Sequence, residues 1–118
     1  MRLSALRDFA LSLPQTTSVS QWGGLVFKVA GKVFLVIGLD AETIDGVTFK
    51  CAPAEFDDLL DIESAGQAPY FAKRHWVRLA DVTAVKLPQL QSHIRHSYDL
   101  VVANLPKKVQ ATLKTGGS

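Results

Sequence analysis

The sequence predicts an α+β domain in which an antiparallel sheet is packed by helices. Three observations carry that expectation. Apolar residues recur at helical spacing near both ends of the chain, and two β-rich runs joined by a glycine occupy the middle. The ribbon those runs form is apolar on both sides, so covering elements are needed to keep it from water.

Leu3, Leu6, Phe9, Ala10 and Leu13 define the first amphipathic helix, with Arg7 and Asp8 on its other side and Pro14 at its end. "TTSVSQW" alternates weakly and is read as a short strand. After Gly23-Gly24 come "LVFKVA" and "VFLVIGL", both rich in β-formers. Gly31-Lys32 between them suits a two-residue II′ turn, which sets Val29 opposite Phe34 and Phe27 opposite Val36 on one face. The second face then carries Val26, Lys28, Leu35 and Ile37.

Asp45-Gly46 reads as the next turn and "GVTFKCA" as the third strand of a meander. Pro53 suits the first turn of a helix whose buried side is Phe56, Leu59 and Leu60, while Glu55, Asp57 and Asp58 favour its N-terminal end. "ESAGQAP", residues 63–69, is expected as a loop. A strand follows near residues 75–80, with a short partner around Tyr70. "LPQLQSHIRHSYDLVVANL" is the strongest helix: Pro88 starts it and Leu90, Ile94, Tyr98, Val101 and Leu105 form its stripe. Pro106 interrupts it, "KKVQATLK" gives a last basic turn or two, and residues 115–118, "TGGS", are expected as a flexible tail on a single domain of residues 1–114.

The totals fit that plan. With 118 residues and 47% hydrophobic content the chain can bury one core and not two. No apolar stretch approaches the roughly 20 residues a membrane helix needs, so no membrane association is expected. The N-terminus does not read as a signal peptide, and Cys51 has no partner for a disulfide, so a reducing, cytoplasmic setting is expected. Charge is unevenly placed. Residues 1–63 hold five Lys/Arg against nine Asp/Glu, and residues 64–118 hold eight against two. Such asymmetry marks either two solvated helix faces or a surface for an anionic partner.

Enzyme signatures are missing: there is no phosphate-binding glycine loop and no G-x-S-x-G elbow. Cys51 shares a side with Val47 and Phe49 and is read as a core residue. His93 and His96 lie three apart on a helix, but a metal needs more ligands than this pair offers, so neither metal nor cofactor is expected. Glu55, Asp57, Asp58, Asp61 and Glu63 fall on the wet side of their helix. The chain is therefore expected to be non-catalytic.

"FAKRHWVRLA", residues 71–80, is the most informative stretch. As a strand it turns Arg74, Trp76 and Arg78 to one side and His75, Val77 and Leu79 to the other. Guanidinium groups pair with phosphates and an indole stacks on an unpaired base. The competing reading packs Trp76 under a helix and lets the arginines reach water along their stems.

"LP" at 13–14, "WGG" at 22–24, "VFKVAGKVF" at 26–34, "FKCAP" at 49–53, "KRHWV" at 73–77 and "SYDLV" at 97–101 resemble, in order, the MmcQ/YjbR family of small bacterial proteins. The resemblance implies an α-β(3)-α-β(2)-α fold with a curved antiparallel sheet. It also implies a label of DNA-binding, given because the sheet looks like a double-wing motif of a phage transcription factor. The family supplies no catalytic residues to carry over.

Three functions follow as expectations. In a nucleic-acid-binding module, Lys28, Lys32, Lys50, Lys73, Arg74 and Arg78 contact phosphates and Trp76 stacks on a base. In a self-associating module, the second face of the hairpin, with Val26, Leu35 and Ile37, is the contact. In a small-ligand binder, His75, Trp76 and Tyr98 line a cleft.

Overall fold

A computed structural model describes residues 3–21, 23–41, 43–68 and 75–117, with side chains to residue 112. In chain order it holds α1 (Leu3–Ser12), β1 (Thr16–Gln21), β2 (Gly24–Val29), β3 (Lys32–Asp40), β4 (Thr43–Lys50), α2 (Phe56–Leu60), β5 (Ala65–Gln67), β6 (Trp76–Leu79), α3 (Leu87–Ala103) and α4 (Lys107–Gly117). One six-stranded sheet runs β1-β2-β3-β4-β6-β5, antiparallel throughout. The α+β class is as the sequence predicts. β1 is the short strand read from "TTSVSQW", making four strands before α2 where the resemblance implies three, and α4 is the basic helical segment expected after Pro106.

Helices lie on one side of this sheet because their stripes feed a single core. Leu6, Ala10 and Leu13 from the first helical segment, Phe56 and Leu59 from α2, and Leu90, Ile94 and Val101 from α3 meet Phe27, Leu35, Ile37, Phe49, Val77 and Leu79 of the strands. Burial of each large apolar side chain contributes about 1.5–3 kcal/mol. Phe34 adds an edge-on contact with Tyr98, ring centroids 5.4 Å apart at 87°.

The central hairpin departs from the expected register. Val29 pairs with Lys32, so the loop is Ala30-Gly31 and not Gly31-Lys32. Both loop residues have positive φ (49° and 79°), the pattern of a I′ turn. The pairing then slips by one between Phe27 and Lys28, so that Phe27 meets Leu35 and Phe34 is the extra residue of a bulge. Phe34 and Leu35 are both fully buried. The slip reverses the facing of β3: Leu35 and Ile37 join the core, and Val36 moves to the opposite side with Val26 and Lys28. The apolar second face expected from Val26, Leu35 and Ile37 is therefore not formed.

Three further boundaries differ. Asp40 pairs with Thr43 where β3 turns into β4, and Asp45-Gly46 lies inside β4 beside a second register shift, with Gly46 at φ 89°. A glycine accepts that left-handed backbone in a bulge as readily as in a turn, which is why the dipeptide misleads. The partner of β6 is Ala65–Gln67, within the stretch expected as a loop; Tyr70, the expected partner, lies outside the described residues. α4 extends past "KKVQATLK" to Gly117.

Candidate functional site

Strand parity decides which side chains share the face away from the helices. Phe27, Phe49 and Val77 point into the core, so their neighbours Lys28, Lys50 and Trp76 point out. Register sets Thr17 opposite Lys28, Lys28 opposite Val33, and Lys50 opposite Trp76, with the β3–β4 pairing ending at Leu35 and Phe49 between the two groups. The neighbouring row holds Val19, Val26, Val36, Thr48, Arg78 and Gly66, each opposite the next. Lys28, Lys50, Trp76 and Arg78 thus share the face that, among the described residues, is free of helices, and all four are half-buried. Long cationic stems lying on a sheet with their heads toward water give that degree of burial.

Arg78 is held by two features the sequence reading did not single out. Its Nη2 donates to the Asp45 carbonyl at 3.2 Å and lies 3.8 Å from the Asp45 carboxylate. The guanidinium lies across Gly46, where a Cβ would come within 2.6 Å of Nη2. The only sequence signal for this was the Asp-Gly dipeptide, which reads first as a turn.

The other expected site residues distribute differently. Lys32 is exposed at the hairpin end opposite the core residue Val29, so its register separates it from Lys28. Lys73 and Arg74 lie outside the described residues, as does Trp22 of the "WGG" motif. Tyr98 is only 4% exposed, on the helix side, and its hydroxyl donates to the Pro14 carbonyl at 2.7 Å. Burial pushes its phenol up, partly offset by Arg95 and reinforced by Asp99. The sheet therefore stands between Tyr98 and Trp76. His75 precedes β6, and its carbonyl accepts the Cys51 N–H at 2.7 Å. The cleft expected from His75, Trp76 and Tyr98 does not form.

An open cleft of about 500 Å³ lies instead on the helix side, lined by Ile62, Glu63, Val85, Gln89, Ser92 and His93 among others. The His93 ring stacks on Phe49, 5.4 Å between centroids and 8° between planes. Burial lowers its pKa from 6.5, the Glu55 carboxylate opposes that shift, and His96 adds to it. His96 Nε2 sits 2.8 Å from Glu55 Oε1, tying α3 to the turn before α2. Cys51 is buried, and its thiol is pushed up by burial and by the charge of Glu55. Among the described residues no group of three or more His, Cys, Asp or Glu is placed to hold a metal ion.

A family model described as YjbR matches residues 11–100. No curated protein matches the chain. Two solved structures are similar in fold. A Deinococcus radiodurans protein, DR2400, described as a DUF419 domain, is 23% identical with a TM-score of 0.83, over 99% of this chain and 94% of that one. A Pseudomonas syringae protein is 18% identical with a TM-score of 0.68, over 85% of this chain and 98% of that one. Among the described residues no helix is long and apolar enough to cross a membrane.

Proposed function

The chain belongs to the YjbR family, and from that premise we propose that it is a non-catalytic cytoplasmic module that binds nucleic acid weakly, as an unpaired strand laid over the helix-free face of its sheet. One observation carries the reading: Lys28, Lys50 and Arg78 share that face with Trp76.

The spacing suits a flexible polyanion. Adjacent strands are about 4.8 Å apart and alternate residues about 6.7 Å, so Lys28 and Lys50, two strands apart, stand about 10 Å from each other. Lys50 and Arg78 are about 8 Å apart by the same geometry. A half-buried indole between such cations supplies a platform for one base, worth about 1–3 kcal/mol in stacking. A duplex hides its base faces, so Trp76 favours the unpaired strand. The formal charge of +2 and the Asp45 carboxylate beside Arg78 both limit affinity.

Fluorescence anisotropy with a labelled oligothymidine of about 12 nucleotides, against a duplex of equal length, tests the reading. The expected result is binding at low salt that favours the single strand and weakens about tenfold in Trp76→Ala. Absence of binding at low salt and tens of micromolar protein overturns it.

A further inference from the structure

We infer that β1 is the contact of a two-fold dimer, in which it pairs antiparallel with β1 of a second copy, Val19 against Val19. The inference stands on the sheet edge alone and is independent of the nucleic-acid reading.

The two ends of the sheet are built differently. β5 is three residues long, too short to template much pairing, whereas β1 runs six residues in unbroken register, from Thr16 opposite Val29 to Gln21 opposite Gly24. Edges in soluble proteins are protected by a charge, a proline or a bulge. "TTSVSQ" has none of the three. Among the described residues nothing pairs with its outer side. Thr17, Ser18, Val19 and Ser20 are exposed, so neither side of the strand is roofed there.

A second observation bears on the same strand and the helix before it. Among the described residues, the large apolar side chains standing exposed are Val19, at 42%, and Leu11, at 41%. They belong to β1 and to α1, the helix that leads into it and packs against it.

A second copy fits this edge better than a charged partner would. β1 is uncharged, so it meets itself without repulsion, and α1 exposes one charge of each sign in Arg7 and Asp8. Pairing Val19 with its own counterpart sets Thr17 opposite Gln21 and keeps residues of one face together. The helices of both copies then lie on the same side, and the two helix-free faces join. It also makes a β-branched pair at the axis, a favourable cross-strand contact. Lys28 of each copy sits one strand further in and two residues along from the axis, so the two stand about 20 Å apart, beyond the screening length of about 8 Å at physiological salt. Two six-residue strands with Val19 at their centre bury less than the roughly 1,600 Å² of a standard interface, so the dimer is weak and concentration-dependent.

Sedimentation velocity on the full chain from about 10 µM to 1 mM reads the equilibrium. The expected result is a shift from the 12.9 kDa monomer toward twice that mass. Val19→Lys should weaken the dimer at least about tenfold while leaving the circular-dichroism melt unchanged, because the side chain is exposed. Ser18→Lys, at an exposed position on the other side of the strand, should do the same. Val19→Cys should crosslink to itself under mild oxidation, since directly opposed antiparallel residues have Cα atoms about 4.5–5.5 Å apart, within disulfide reach. A chain that stays monomeric to 1 mM overturns the inference, including one that binds an added extended peptide at β1. A dimer indifferent to both lysines, or a Val19→Cys variant that fails to crosslink, does so too.

Discussion

Ser97 on α3 donates its hydroxyl to the Phe34 carbonyl at 2.6 Å and accepts the Lys50 N–H at 2.8 Å. Phe34 is the bulged residue of β3, left out of the ladder with β2, and Lys50 is the last residue of β4. One buried hydroxyl thus satisfies two backbone groups where the sheet interrupts its own pairing. It also fixes the strand end that carries Lys50 to the outer face, so the bulge is tied to the candidate surface.

Ser97→Ala should therefore cost about 2 kcal/mol or more, because it leaves a buried carbonyl and a part-buried N–H without their partner. Urea denaturation monitored by circular dichroism measures it. A change under about 0.5 kcal/mol would mean that water or a shifted backbone replaces the hydroxyl.

Gly46→Ala should lower stability by about 1 kcal/mol or more, because alanine is strained at positive φ. The added Cβ also displaces the Arg78 guanidinium from above the strand and from Asp45. Thermal melts of this variant beside Arg78→Ala separate the two effects. If backbone strain dominates, Gly46→Ala costs more than Arg78→Ala; equal stability in wild type and Gly46→Ala would contradict the observed geometry.

Tyr98→Phe removes one hydroxyl that bonds Pro14 and keeps the ring against Phe34. It should cost about 1 kcal/mol and leave nucleic-acid binding unchanged. A selective loss of binding at unchanged stability would return Tyr98 to the functional surface, on the far side of the sheet from where it stands.

His93 gives a pH dependence with a definite sign. Its folded pKa is lowered, so below the ordinary value of 6.5 the unfolded chain takes up a proton that the folded chain resists. The contribution is absent above 6.5 and stability is lost as pH falls from there to the lowered folded value. Denaturation at about pH 7.5 and 5 should show a smaller loss for His93→Phe, which keeps an aromatic ring on Phe49, than for wild type. An identical loss in both would place the acid sensitivity elsewhere.

The sequence made the helices legible because their stripes are regular: Leu90, Ile94, Tyr98 and Val101 are all buried, as their spacing predicts. The strand directions of β6 were equally readable, since Val77 and Leu79 alternate with Trp76 and Arg78 without interruption. The β2–β3 facing was not. A bulge changes parity by one residue, and Val-Phe-Leu-Val-Ile is apolar at every position, so alternation carries no sign of the slip. Ser97 was hidden for a related reason. A lone serine in a helix gives no pattern, and its role exists only because the bulge frees a carbonyl 63 residues away. The candidate surface was half legible. Trp76 and Arg78 follow from one strand, but their union with Lys50 and the exclusion of Lys32 depend on pairing register.

The most direct test of the central claim is the salt dependence of single-strand binding. If Lys28, Lys50 and Arg78 each neutralise one phosphate, log K against log salt should fall with a slope of about −2, at roughly −0.7 per contact. Replacing all three by alanine, in a protein whose melt confirms the fold, should bring the slope close to zero and abolish measurable affinity. A triple variant that keeps the wild-type slope would contradict the account, and so would wild-type binding that does not respond to salt.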